Sequence, residues 1–156
     1  MKVREAVEIA NMMKPNAFDD ALKVFWLSQL EGKIAADIFE LAQEDLIQAR
    51  YTPEDMETEM LVQYPHDDIY VQWLAAKIDE ANGEYNKYEN QMAIYNSYYA
   101  NFSRWFQQNY EPANGYLEGR YGKGIHKEDS PYWLPNIVKD LKQRVQNLEK
   151  LLEERQ

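Results

Sequence analysis

The sequence predicts an all-α protein: a helical bundle built on one long central helix, then an extended Gly/Pro-rich arm and a C-terminal amphipathic helix. Three observations carry this. Apolar residues recur at steps of three and four along most of the chain, the period of one helix face, and nowhere alternate as a half-buried strand would. Prolines at 15, 53, 65, 112, 131 and 135 punctuate the pattern at its breaks. Four of the six glycines, at 115, 119, 122 and 124, fall within one stretch, 111–135.

The first helix covers about residues 3–13. Val3, Ala6, Val7, Ala10 and Met13 make its apolar stripe, and Lys14-Pro15-Asn16 ends it, because proline lacks a donor and disfavours helix in the residue before it. The second runs about 19–43, with Asp19 as N-cap and Leu22, Phe25, Trp26, Leu30, Ile34, Ile38 and Leu41 on one face. Gly32 inside it costs about 1 kcal/mol against alanine, a cost that close approach of another backbone would offset. Thr52-Pro53-Glu54-Asp55 opens a short helix: threonine caps, proline takes the first position, and the acids complement the helix dipole. The acids Glu54, Asp55, Glu57 and Glu59 read as a solvated face.

The segment 66–108 carries the strongest pattern. Val71, Leu74, Ile78, Ala81, Tyr85, Tyr88, Met92, Tyr95, Tyr99, Phe102 and Phe106 follow one another at alternating steps of three and four, an unbroken heptad stripe. Asn82-Gly83 is a turn signal. The stripe nevertheless keeps its phase across Gly83, which favours one continuous helix. At 1.5 Å per residue it would be a rod of about 64 Å, against a diameter near ~40 Å for a compact chain of this length. Such a rod overhangs its own domain and calls for cover from another subunit. Its Tyr-rich half, Tyr85, Tyr88, Met92, Tyr95 and Tyr99, is the candidate subunit interface, since phenol hydroxyls sit poorly in a dry core.

Two parts follow: a helical domain over 1–111, and a flexible arm with a docking helix over 112–156. The arm carries Tyr116, Tyr121, Tyr132 and Trp133, too many aromatics for a pure spacer. The last helix, about 136–154, follows Leu134 and repeats Val138, Leu141, Val145, Leu148 and Leu152 at steps of three and four. A tethered amphipathic helix suits docking into a partner's groove. The candidate docking residues are Tyr132, Trp133, Leu134, Val138, Leu141, Val145 and Leu148.

Composition excludes several classes. With no cysteine there is no disulfide, thiolate nucleophile or Cys-type zinc site. Mean hydropathy is −0.73 and no 18-residue run is free of charge, so no membrane span is expected. The opening MKVREAVEIA lacks the apolar stretch of a secretory signal. The net charge is −10. Residues 1–111 hold nine bases and twenty acids, whereas 112–156 are close to neutral. The acidic body should repel nucleic acid, whose capture needs clustered Lys and Arg.

Catalytic and metal motifs fail on spacing. The two histidines, His66 and His126, have no partner at metal-ligand distance in sequence, and no Glu-x-x-His occurs. His66 beside Asp67 and Asp68 reads better as a helix-start cluster than as a general base. Asp79 to Gly83 lacks the ligand order of a calcium loop. Gly119 to Gly124 resembles a phosphate loop in composition only, without its Gly-Lys-Ser/Thr ending. No enzyme and no cofactor are expected.

Several stretches, in order, are Val3-Arg4-Glu5-Ala6, Lys14-Pro15-Asn16-Ala17, Trp26 to Ala35, Pro65-His66-Asp67-Asp68-Ile69-Tyr70, Ala76-Lys77-Ile78-Asp79, Asn82-Gly83-Glu84-Tyr85 and Tyr88-Glu89-Asn90. Their order and spacing over about 3–106 resemble the head–tail connector, or neck adaptor, proteins of long-tailed bacteriophages and prophages. The resemblance implies a structural subunit made in the bacterial host cytoplasm and placed in the virion neck. It would assemble with copies of itself, usually twelvefold, into a ring below the portal protein. That ring extends the DNA channel, which DNA passes without specific binding, and offers a platform to the next neck or tail-completion protein. On this resemblance the portal is the neighbour of the docking helix. The other reading of these residues is a cytosolic coiled-coil-type oligomeric interaction module, a dimer or trimer.

Overall fold

The structure, a computed structural model, describes residues 1–109 and 135–155. Its elements are α1 (Val3–Met13), α2 (Asp20–Asp37), a 3-10 segment Gln43–Ala49, a 3-10 turn Pro53–Asp55, α3 (Asp68–Ala81), α4 (Tyr85–Asn109) and α5 (Pro135–Glu154). Among the described residues there is no strand beyond one isolated bridge between Lys2 and Glu59, so the fold is all-α. The expected boundary at 111/112 lies outside the described residues.

The continuous helix over 66–108 is not formed. The chain turns at Asn82-Gly83-Glu84, where Gly83 adopts φ +73° and its N–H bonds to Glu80 O at 3.0 Å. α3 and α4 fold back as an antiparallel hairpin: Trp73 stacks near Tyr95, with centroids 5.0 Å apart, and His66 sits 4.4 Å from Trp105. The rod that would overhang its domain therefore does not exist. The heptad stripe keeps phase across the turn because each arm lays its apolar face on the other.

α3 is the central element. Ile69, Tyr70, Val71, Leu74, Ala75, Ala76 and Ile78 are all buried, and α1, α2 and α4 pack around them. A helix apolar on so much of its circumference must be enclosed. The long arm of the hairpin closes one end with Phe102 and Phe106, the latter 4.6 Å from Phe39.

α1 matches its expected span and is tied down at its start. Val3 and Arg4 donate backbone hydrogen bonds to Thr58 O and Met56 O at 3.1 and 2.8 Å. The Glu57 carboxylate accepts from Arg4 Nε at 2.6 Å and from Lys2 Nζ at 3.2 Å. Part of the acidic run is thus a docking strip for the first turn, not only a solvated face. Lys14, just past α1, pairs with the buried carboxylate of Asp79 on α3.

α2 stops at Asp37, six residues before the expected end. Glu40 takes a left-handed φ of +53° and reverses the chain. The following 3-10 segment then packs back on α2, and Tyr51 N–H reaches Ser28 Oγ at 2.9 Å. The buried face of α2 is Val24, Leu27, Leu30, Ile34 and Ala35, while Leu22 and Phe25, expected on that face, are exposed. Asp19 makes no side-chain cap bond. At Thr52 the expected cap is present: Thr52 Oγ1 accepts from Glu54 N–H at 3.4 Å, and Thr52 N–H donates to Asp55 Oδ2 at 2.7 Å. Gly32 meets no close backbone, since an added Cβ would find nothing within 4 Å.

Candidate functional site

α4 is an uncommon helix for this chain. Although 28% of all residues are charged, residues 90–103 contain none. Its inner face is buried through Gln91, Tyr95, Phe102 and Phe106. Its outer face carries Ile94 and Tyr98, 45% and 41% exposed, with Asn90, Ala93, Ser97 and Asn101 exposed around them. Near the turn, Tyr85 is 64% exposed. Tyrosine offers broad contact area at little entropic cost, and Asn and Ser offer adaptable hydrogen bonds. Interface centres are likewise depleted in charge. Comparison with protein-family models, with curated proteins and with solved structures finds no match to this chain.

The five residues expected at a subunit interface all lie on α4, and its packing on α3 leaves them unequally exposed. Tyr95 is core, packed on Trp73, and burial raises its hydroxyl well above the usual phenol range. Met92 and Tyr99 are half-buried against the same core. Lys33 Nζ lies 5.8 Å from the Tyr99 ring. Burial raises the Tyr99 phenol, with the charge of Asp37 adding to the effect. Tyr88 is also half-buried, and burial raises its phenol, with the charge of Glu80 adding to the effect. Of the five, Tyr85 alone is exposed. Ile94 and Tyr98 were missed because a stripe assigned to a neighbour leaves the opposite face to solvent. The missing charge over 90–103 was the signal that pointed to them.

Of the expected docking residues, Tyr132, Trp133 and Leu134 lie outside the described residues. Val138 and Leu141 fall on α5 before its described side chains begin. Val145 and Leu148 are 52% and 61% exposed, and Leu151 and Leu152 are exposed beside them.

The most perturbed carboxyl is Glu31 on α2, fully buried. Tyr70 Oη donates to its Oε1 at 2.6 Å; Tyr51 Oη and Leu61 N–H donate to Oε2 at 2.8 and 3.0 Å. Tyr70 Oη in turn accepts from Val62 N–H at 2.8 Å. Burial pushes the carboxyl up to about 7 against the pull of those donors. Perturbed groups often mark active sites. This one is sealed, with both oxygens engaged, and acts as a clasp that fastens residues 51–62 to α2 and α3. His66, considered as a general base, stacks on Trp105 and Phe102. Its Nε2 is buried with no hydrogen-bond partner among the described residues, and burial lowers its pKa.

Among the described residues no group of three or more His, Asp or Glu side chains is placed to hold a metal ion. No helix there is long and apolar enough to cross a membrane. An open groove of about 510 Å³ lies between α2 and residues 46–53.

Proposed function

We propose that this chain is a structural assembly subunit, without catalytic residues, that forms the ring of a bacteriophage head–tail connector. The observation that carries the assembly reading is the exposed, charge-free outer face of α4 on an otherwise acidic body. Such a surface costs little to desolvate and repeats identically on every copy. A face of this kind meeting a different face of the next copy is a heterologous contact, which closes into a ring when the rotation permits. The connector assignment rests on the ordered resemblance over about 3–106, with which a compact helical body and a tethered terminal helix are compatible. The portal would lie on one side of the ring and the next neck or tail protein on the other. DNA would pass an acidic wall that repels it.

Native mass spectrometry of the chain, alone and mixed with portal protein, tests this. A ring of uniform subunit number is expected, bound to the portal. Tyr98→Asp places a charge in the centre of the uncharged face. It should weaken assembly about tenfold, equivalent to about 1–2 kcal/mol, the scale on which single interface residues act. Helicity and melting should be unchanged. Equal loss of helicity would make Tyr98 part of the fold instead. A dimer or trimer indifferent to the portal would favour the coiled-coil-type module.

A further inference from the structure

We propose that the groove between α2 and residues 46–53 is the seat for the C-terminal half of α5 from a second copy of this chain. The inference deepens the assembly reading and rests on it for the second copy. It gives Val145–Leu152 to a neighbouring subunit and leaves the residues before them to the portal.

The groove is built like a receptor for an amphipathic helix. Val24, Leu46 and the exposed ring of Phe25 supply its apolar lining. Gly32 lines it as well, and nothing lies within 4 Å of where its side chain would begin. The glycine that lacks a neighbour inside its own chain is thus open to a backbone from outside. Lys33 and Arg50 line the groove, and no acidic residue does, in a protein with 27 acids and 17 bases. Neither cation is held in an ion pair among the described residues.

The occupant must therefore bring an apolar stripe with acids beside it, over the length of the groove. Along α2 the lining runs from Ala21 to Lys33, about 18 Å of helix. The segment Val145–Leu152 measures about 11 Å on the same rise, so the groove takes its whole length. Val145, Leu148, Leu151 and Leu152 are each more than half exposed. Glu149 and Glu153 directly follow Leu148 and Leu152, four residues apart, and so border the stripe along one edge. The negative end of the helix dipole lies in the same turns.

α5 lies beside the Gln43–Ala49 segment of its own chain, yet its stripe remains uncovered and the groove of that chain stands open. Each copy then carries an unfilled groove and an unfilled stripe, the two halves of a head-to-tail contact.

The chain has no cysteine, so introduced thiols report one contact only. Gly32→Cys and Leu148→Cys, made in separate copies, are mixed under mild oxidation. The mixed disulfide should exceed either homodimer several-fold. Glu149→Lys with Glu153→Lys in the Leu148→Cys copy should lower that yield, and Lys33→Glu with Arg50→Glu in the Gly32→Cys copy should restore it. Mixed linking no greater than the homodimers would overturn the proposal. So would an internal disulfide in dilute Gly32→Cys/Leu148→Cys double variant, which would put α5 in its own groove. Native mass spectrometry of the unsubstituted chain separates this from the parent reading. Rings without the link remove the groove contact and keep the assembly; linked chains that never close a ring keep the contact and remove the connector.

Discussion

Glu31 is held between opposing demands. Its three donors match a carboxylate, while complete burial favours the neutral acid, and the result is a carboxyl that titrates at about 7 in place of 4.5. A carboxyl that binds its proton more tightly when folded contributes stability that is fully present below about pH 4.5 and lost as the pH rises through 7. The loss across that window is about 3 kcal/mol. His66 works the other way. Its lowered pKa gives stability present above its unfolded value and lost as the pH falls. The raw pH profile therefore mixes the two, and the difference between wild type and Glu31→Gln isolates the clasp. Urea unfolding should show the stability advantage of wild type over Glu31→Gln shrinking by about 3 kcal/mol between pH 4.5 and pH 7.5. A difference that stays constant would mean that Glu31 is ionised throughout. None of this was legible beforehand, because Glu31, Tyr51, Leu61 and Tyr70 lie up to 39 residues apart and no local spacing links them.

At the scale of elements, the α3–α4 hairpin depends on three residues. Gly83 sits at φ +73°, a conformation that costs a side-chain-bearing residue about 1 kcal/mol. Gly83→Ala should lower the melting temperature by about 2–4 °C in a chain of this size, measured by circular dichroism, although space for the methyl group is free. A melting point that rises instead would show α3 and α4 tending toward one helix. The sequence reading failed here for a physical reason. Heptad phase counts residues, and a three-residue turn preserves the count while reversing the direction, so a hairpin and a rod share one pattern. The helical character of α1, α2, both hairpin arms and α5 was legible, as was the capped turn at Thr52, whereas the 3-10 segment Gln43–Ala49 was not. The early end of α2 was not, because it depends on the return of the 3-10 segment to Ser28. Four of the five residues expected at a subunit interface face the chain's own core in whole or in part, and only Tyr85 of them is exposed. Burial of Tyr95 against Trp73 follows only once α3 lies alongside.

At the scale of the molecule, the acidic body sets how copies can meet. Residues 1–111 carry an excess of eleven acids over bases, so two approaching copies repel over the reach of their unscreened fields. That reach is about 30 Å at 0.01 M salt and about 8 Å at 0.15 M. The outer face of α4 offers no charge over 90–103 to offset the repulsion, and apolar and tyrosine contact gains nothing from low salt. The Lys33 and Arg50 contacts proposed for α5 are two against that excess. Association should therefore strengthen as salt is raised from 0.01 to 0.15 M, the opposite of an interface held by ion pairs. Sedimentation velocity across that range checks it, with the oligomer fraction expected to rise. A fall would mean that complementary charge, not the uncharged face, joins the copies. Tyr98→Asp adds one more like charge at the contact itself, so whatever association it retains should depend on salt more steeply than that of the wild type.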